Sequence, residues 1–426
     1  MASSRPQLSS GLSKGAALEF FFLAGLILIN LCLYFQLHQP YRIQQFRTSR
    51  GTCLTESVFD DVRNESFFRR IAARCYYPAG MLLRRLLEES EGKLKVTFSM
   101  SGTWISQCQK YEPPLLELFQ NIAANENVEV LCETSHHTLS SLFHSDQFLR
   151  EIRRHRDTIR EIFGKEPRFF RNTELIYSNS IGDLVANEGF SGCLVEGWEH
   201  LLETDFNPSH VFHHPRNPQF LLLPRCYRLS DDIAFRFCNR NWSEWPLTGE
   251  KFQNWVESEA HRGSSFVGLY MDFETMGEHQ WRETGIFDFW EYWLRLAWNS
   301  STVRFINPCD LLEHEVPRSP LNVPSPLSWA DLERDVSAWL GNDYQVTAAN
   351  EVYGFLSRNC NLHESRFYEN YQRFLTSDHF YYMSTKCSSD GDVHGYFSPF
   401  SSPIEAYLEY RGAITRLENA LSEKED

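Results

Sequence analysis

The sequence predicts an α/β protein built on a barrel of parallel strands. Three observations carry this. Apolar strand-like runs alternate with helix-like stretches in about seven strand–helix units. Polar residues cluster directly after each run, where ligands collect in parallel α/β sheets. The run Phe266–Met271 has neither charge nor alternation until it stops at Asp272, which suits a strand buried on both faces.

The elements follow in chain order. Residues 1–19 are polar and Ser-rich, without a period, and read as disordered. The apolar run Phe20–Phe35 contains Gly25 and Asn30 and falls short of the roughly 20 residues that cross a bilayer. It lacks a small-residue cleavage site. Its second half runs straight into Gln36-Leu37-His38-Gln39-Pro40 and reads as the first barrel strand. The expected native start is therefore near Ile29, with residues 1–28 an upstream extension or a weak anchor.

Pro78–Glu91 places four leucines at helical spacing. Lys95–Met100 alternates like a strand, Pro113–Ala124 is an amphipathic helix with Pro in its first turn, and Val128–Cys132 is a short buried strand. Ser145–Phe163 is a long charged helix ended by Gly164. Strands are expected at Phe169-Phe170, Gly192–Val195, Phe220–Leu223 and Val303–Ile306, and helices at 178–188 and Phe287–Trp298. The barrel is taken as residues 29–315. A Pro-rich joint, Val316–Leu327, opens a mostly helical region to residue 426, with Ser328 capping one helix and Pro403–Lys424 forming another. Thr376–Ser401 reads as an ordered functional loop.

Composition narrows the partners. With 426 residues and 42% apolar content, the chain can bury a large core. A formal charge of −15 argues against a nucleic-acid surface, which needs an excess of Lys and Arg. The 33 Phe, 18 Tyr and 11 Trp mostly fill core, leaving some to line a groove where rings stack on sugars. Eleven cysteines without a CxxC pair suggest buried free thiols in a reducing compartment.

The strand ends would gather His38, Glu133, His137, Glu196, Asp231, Asp232 and Asp272 on one face. Glu196 and Asp272 stand out because each directly follows an apolar strand. Two carboxylates across an aromatic-lined groove are the hardware of glycoside hydrolysis. A metal site using His38, His136, His137 and His279 is a rival, though no pair has the i, i+4 spacing of a metalloprotease helix. A binding-only barrel is a third reading. Asp231 and Asp232 either contact sugar or satisfy Arg228 and Arg236. Trp198 and Trp281 either stack on glucose rings or pack. His379 and His394 read equally as core or loop histidines, and Asp390-Gly391-Asp392 as a turn or a binding loop. Glu274 is read as structural, facing away from Asp272.

The stretches LYFQLHQPYR (33–42), ETSHHTL (133–139), RNTELIY (171–177), LVEGW (194–198), LSDDIAFRF (229–237) and YMDFETMGEHQW (270–281) together resemble glycoside hydrolase family 57, in its archaeal-type α-amylase branch. WADLERDVSAWLGN (329–342), TSDHFYYMSTK (376–386) and DGDVHGYFSP (390–399) extend the resemblance to about residues 30–411. It implies an incomplete (β/α)7 barrel whose C-terminal helical region completes the cleft. It implies cleavage or transfer of α-glucosidic bonds with retention, by an α-amylase-type hydrolase on starch, glycogen or maltodextrin, or by a 4-α-glucanotransferase. A non-catalytic α-glucan-binding protein is the reading outside enzymes. By resemblance Glu196 is the nucleophile and Asp272 the general acid/base. His38, Glu133, His137, Trp198, Asp232 and Trp281 are expected to bind substrate. No metal or organic cofactor is implied. The expected location is cytoplasmic, with membrane contact only if the N-terminal extension is an anchor. Met276 departs from the pattern, where relatives commonly carry an aromatic residue.

Overall fold

The computed structural model describes residues 28–45, 58–199, 207–314, 317–358, 362–364, 367–386 and 398–422. The strands are β1 (Ile29–Leu37), β2 (Val96–Met100), β3 (Val128–Val130), β4 (Phe169–Arg171), β5 (Gly192–Glu196), β6 (Phe212–His214), β7 (Asn217–Arg225), β8 (Phe266–Asp272) and β9 (Val303–Ile306). They form one sheet in the order β3-β2-β1-β8-β7-β5-β4. Every pairing along that path is parallel. The two ends of the path meet beyond β3. Leu131 N–H donates to Phe98 O at 2.7 Å, Cys132 N–H to Phe169 O at 3.1 Å, and Arg171 N–H to Cys132 O at 2.9 Å. The result is a seven-stranded α/β barrel, as expected. It is incomplete where β7 and β8 share a single registered pair, Arg225 with Gly268. β9 lies beside Ile29–Cys32, on the edge of β1 that β2 takes further up at Tyr34–Leu37.

Helices wrap the outside because each strand is buried on both faces, so its outward residues need an apolar cover. Those covering β1, β2 and β8 include Tyr77–Glu89, Pro113–Ala123, Gly249–His261 and Ile286–Trp298. The charged helix Ser145–Phe163 has its expected bounds and ends at Gly164, whose φ of +64° suits a residue without a Cβ.

Side-chain parity sorts the core into two shells. Leu31, Leu33 and Phe35 of β1 face the helices with Val267, Leu269 and Met271 of β8. Cys32 and Tyr34 face inward with Leu131, Phe169, Leu194, Leu223 and Tyr270. Advancing two residues from this inner layer gives Gln36, Glu133, Arg171, Glu196, Arg225 and Asp272, and Thr97 of β2 leads likewise to Ser99. Each barrel strand thus contributes one polar residue to a single ring at the mouth.

The described residues of the C-terminal region share an apolar cluster with the barrel. Trp339, Phe374 and Tyr410 share one apolar cluster with Phe170, Cys193, Val195 and Leu222. Its principal helices are Asp343–Arg358, Tyr368–Phe374 and Pro403–Ser422.

Several expectations need correction. Ser328 caps no helix: its hydroxyl accepts from Ala330 N–H and donates to Asp335 O within a turn, and the next helix begins at Ser337. Asp231 and Asp232 are not at a strand tip but on the helix Tyr227–Ala234, whose Leu229 and Ile233, one turn apart, are buried. The antiparallel β6 was not foreseen. Within Thr376–Ser401, Ser377–Tyr381 is helical, and His394 with Asp390–Asp392 falls outside the described residues. Among the described residues no helix is long and apolar enough to cross a membrane. Residues 1–27, including the first part of the Phe20–Phe35 run, lie outside the described residues. Of the described cysteines, Cys32, Cys75, Cys108, Cys132, Cys193 and Cys226 are buried free thiols, while Cys238 is exposed.

Candidate active site

The polar ring carries two linked networks. The first begins at His38, one residue past β1. Its Nδ1 meets Ser101 Oγ at 2.8 Å and its Nε2 meets Asp378 Oδ2 at 2.9 Å. The ring stacks on that of His137 with centroids 4.0 Å apart. His137 sits between two carboxylates, Glu133 at 3.0 Å and Glu174 at 3.1 Å. Burial opposes its charge, yet the two acids push it up to about 9. Glu133 is fully buried, and Gln36 Nε2 donates to both its oxygens at 3.0 and 3.2 Å. Burial would raise it, but His137 holds it below the usual range. Burial lowers His38, reinforced by His137 and opposed by Asp378.

The second network surrounds Glu196, whose relative exposure is 0%. Its Oε1 accepts from Gly197 N–H at 2.7 Å. Its Oε2 accepts from Arg225 Nη1 at 3.2 Å and Arg334 Nη1 at 3.3 Å. The same arginines grip Asp231 at 2.5 and 2.8 Å. Both oxygens of Glu196 therefore act as acceptors, as a carboxylate's would. Burial pushes its carboxyl above the ordinary range, and Arg225 and Arg334 pull the other way. Gly197 is needed at this turn: a Cβ would lie 2.2 Å from Arg225 O.

Trp329, from the C-terminal region, spans the two networks. Its Nε1 donates to Glu174 Oε2 at 2.7 Å. Its ring lies 4.7 Å from the Arg171 guanidinium and 5.6 Å from that of Arg225. Arg334 also donates to the Trp329 carbonyl. The segment Trp329–Arg334 thus reaches both networks, through Trp329 to Glu174 and through Arg334 to Glu196.

Asp272 ends β8 in register with Gln36 on β1 and is half-buried. Burial, then the negative charge of Glu174, pushes it up to about 6, against Arg171, His137 and Arg225. A carboxyl poised there can hold a proton near neutral pH and release it, as a general acid/base must. The strand stops at Asp272, and Phe273–Thr275 turns as a 3-10 helix. Glu274 does not face away from Asp272 along a continued strand, where an i, i+2 pair would share a face. It accepts a hydrogen bond from Tyr76 Oη, and burial together with Asp272 pushes it up to about 8.

The structure therefore brings together His38, Glu133 and His137 directly, and joins Glu196 and Asp272 to them through Trp329, Glu174 and the arginines. Asp232 pairs with Arg236 at 2.5 Å on its own helix. Asp231 takes Arg225 and Arg334, while Arg228 goes to Glu199 at 2.6 Å. Trp281 is 55% exposed. Among the described residues neither Asp232 nor Trp281 has a hydrogen bond or ion pair with the two networks. Trp198 is half-buried beside β5. The sequence reading missed Gln36, Arg171, Glu174, Arg225, Trp329, Arg334 and Asp378. All but Arg225 lie inside the quoted motifs, and Arg225 was signalled by a charge ending the apolar run Phe220–Pro224.

Among the described residues no group of three or more His, Cys, Asp and Glu side chains is arranged to hold a metal ion. The ring nitrogens of His38 and His137 are engaged by their neighbours.

Comparison with known proteins agrees with this geometry. The sequence profile of Glycosyl hydrolase family 57 matches residues 32–324. A Methanocaldococcus jannaschii protein with a provisional alpha-amylase description is 36% identical over 400 residues, covering 91% of this chain and 84% of that one. The fold is similar to the GH57-type branching enzyme of Pyrococcus horikoshii, at TM-score 0.66 and 14% identity over 89% of this chain and 88% of that one. It is also similar to the 4-alpha-glucanotransferase of Thermococcus litoralis, at TM-score 0.56 and 15% identity over 87% of this chain, which spans 54% of that enzyme. The seven-stranded barrel, the acids at its strand ends and a match over most of the chain lead to one assignment: the protein belongs to glycosyl hydrolase family 57.

Proposed function

We propose that this glycoside hydrolase acts on α-1,4-glucans such as starch, glycogen or maltodextrin with retention of configuration. Glu196 attacks the anomeric carbon to form a glycosyl-enzyme intermediate, while Asp272 protonates the leaving oxygen. Asp272 then takes a proton from the water or sugar hydroxyl that resolves the intermediate. The observation that carries the reading is the difference in hydrogen-bond partners of two acids in one polar ring. Glu196 accepts hydrogen bonds on both oxygens, two of them from arginines that oppose the upward push of burial, whereas among the described residues Asp272 accepts none and is raised to about 6. The network of buried Glu133 and His137 with partly exposed Glu174 is suited to sugar hydroxyls, with His38 beside it.

A second reading, glucan transfer, is favoured by one feature. Glu196 is wholly buried and bonded by Arg334 from the C-terminal region, so a long sugar acceptor that displaces this contact would reach the intermediate more readily than bulk water does. The test is a product assay on maltoheptaose with wild type, Glu196→Gln and Asp272→Asn. Shorter maltooligosaccharides alone support hydrolysis, and products longer than the substrate support transfer. Asp272→Asn should lose about 10²–10⁴-fold in turnover, and Glu196→Gln at least as much. Full turnover by both variants would refute the assignment. Binding without turnover by wild type would favour a non-catalytic glucan-binding role.

A further inference from the structure

One member of the polar ring has no counterpart in the mechanism above. Arg171 is the last residue of β4 and is fully buried. Its Nε, Nη1 and Nη2 all lack a hydrogen-bond partner among the described residues. An unpaired buried donor is costly, and a guanidinium carries five N–H donors in a fixed fork. The other ring members differ. Gln36, Ser99, Glu133, Glu196 and Arg225 are each hydrogen-bonded within the protein. Asp272 is partly open to solvent.

The surroundings of Arg171 say what kind of ligand would fit. Trp329 covers one face of the guanidinium at 4.7 Å, leaving the edge donors as the groups to be satisfied. The charge of Arg171 acts on Glu133, Glu174 and Asp272. An anion placed among these three carboxyl groups would be repelled, whereas a neutral hydroxyl would not. A hydroxyl can also donate to the neighbouring carboxylates while accepting from Arg171. Parity sets Arg171 in the same layer as Glu196 and Asp272, so the hydroxyl belongs to the sugar unit at the reacting bond.

We propose that Arg171 is a substrate-contacting residue, donating hydrogen bonds to ring hydroxyls of the glucosyl unit held between Glu196 and Asp272. This rests on the α-glucan reading. Its contribution is to hold that unit in register beneath Trp329, and it takes no part in proton transfer.

The test uses the full chain with Glu196→Gln, so that binding is measured without turnover. Calorimetry compares maltoheptaose with analogues lacking single ring hydroxyls, with Arg171 present and with Arg171→Met. With Arg171 present, removing one particular hydroxyl should weaken binding about 10- to 100-fold, the weight of one or two hydrogen bonds to a charged group. In Arg171→Met the parent sugar should be weakened by a similar factor and the distinction between parent and analogue should vanish. If Arg171→Met binds maltoheptaose as tightly as the parent protein, the proposal is overturned. Should that variant fail to fold, the analogue series still decides: equal affinity for every analogue overturns the proposal. Arg171→Lys, which lacks the planar fork, should then narrow the discrimination. If the parent protein binds no maltoheptaose at all, the α-glucan reading itself fails and this inference falls with it.

Discussion

At the scale of single residues, the proposed roles make the pH dependence of activity specific. Asp272 must be protonated to donate, and its carboxyl titrates at about 6. The alkaline limb of kcat/KM should therefore begin near that pH, with activity falling about tenfold per further unit. A profile on maltoheptaose that stays flat from below this pH to well above it would remove Asp272 from the general-acid role. Arg225 lends itself to a stability prediction. It holds Glu196 and Asp231 while itself buried. Arg225→Met leaves two buried carboxylates short of a partner, and urea unfolding should show a loss of about 3–5 kcal/mol. Arg225 and Arg334 were hard to find in the sequence for a simple reason. An arginine that pairs inside a barrel looks, in one dimension, like an arginine that pairs with water.

Between the residue and the whole molecule stand the strand ends and the covering segment. Strand positions were legible because a strand buried on both faces is a short apolar run, and each such run stops where the polar ring begins. The helix carrying Asp231 and Asp232 was overlooked although Leu229 and Ile233 have helical spacing, because two turns directly after a strand read as that strand's polar tip. Two predictions belong here. Gly197→Ala would push a Cβ to 2.2 Å from Arg225 O. It should destabilise the fold by about 1–3 kcal/mol and displace β7 from Glu196, so activity should fall with stability. Trp329→Ala should behave differently. Trp329 is half-buried but packs on the inner cluster, so its removal should lower the unfolding midpoint modestly and the activity by more than that loss explains. It also removes the donor to Glu174 and the cover over Arg171. A drop in kcat/KM in protein that remains fully folded at the assay temperature would fit, and an unchanged kcat/KM would argue that this segment serves packing alone.

The whole molecule responds to pH through many buried groups at once. Compared with their ordinary values, Glu129 is raised to about 7, Glu151 to about 7, Glu274 to about 8 and His137 to about 9. Desolvation raises the carboxyls, while Glu133 and Glu174 raise His137 against its own burial. Each binds more protons folded than unfolded as pH climbs through its window, so each loses stabilising effect on the alkaline side. His38, His136 and His155 are lowered by burial and act oppositely, but only below their ordinary value of 6.5. Above that pH the raised groups alone set the slope. The thermal unfolding midpoint should therefore fall steadily from about pH 6.5 to 9, and a rise over that range would contradict these environments. The shared cluster of Trp339, Phe374 and Tyr410 with β4, β5 and β7 leads to another expectation. Residues 29–315 expressed alone should expose that apolar face and aggregate.

The sequence by itself determined the barrel, its strand positions and the two acids that end β5 and β8. Those features depend on local pattern: apolar runs, the stop at a charge, and motif residues close together in the chain. Only the tertiary structure decided who partners whom. Arg334 reaches Glu196, Trp329 reaches Glu174 and Asp378 reaches His38 from segments far along the chain. Such pairings are set by closing the sheet and by seating the C-terminal helices on the barrel's apolar face. Periodicity records that a side chain is buried, but not which distant charge it meets there.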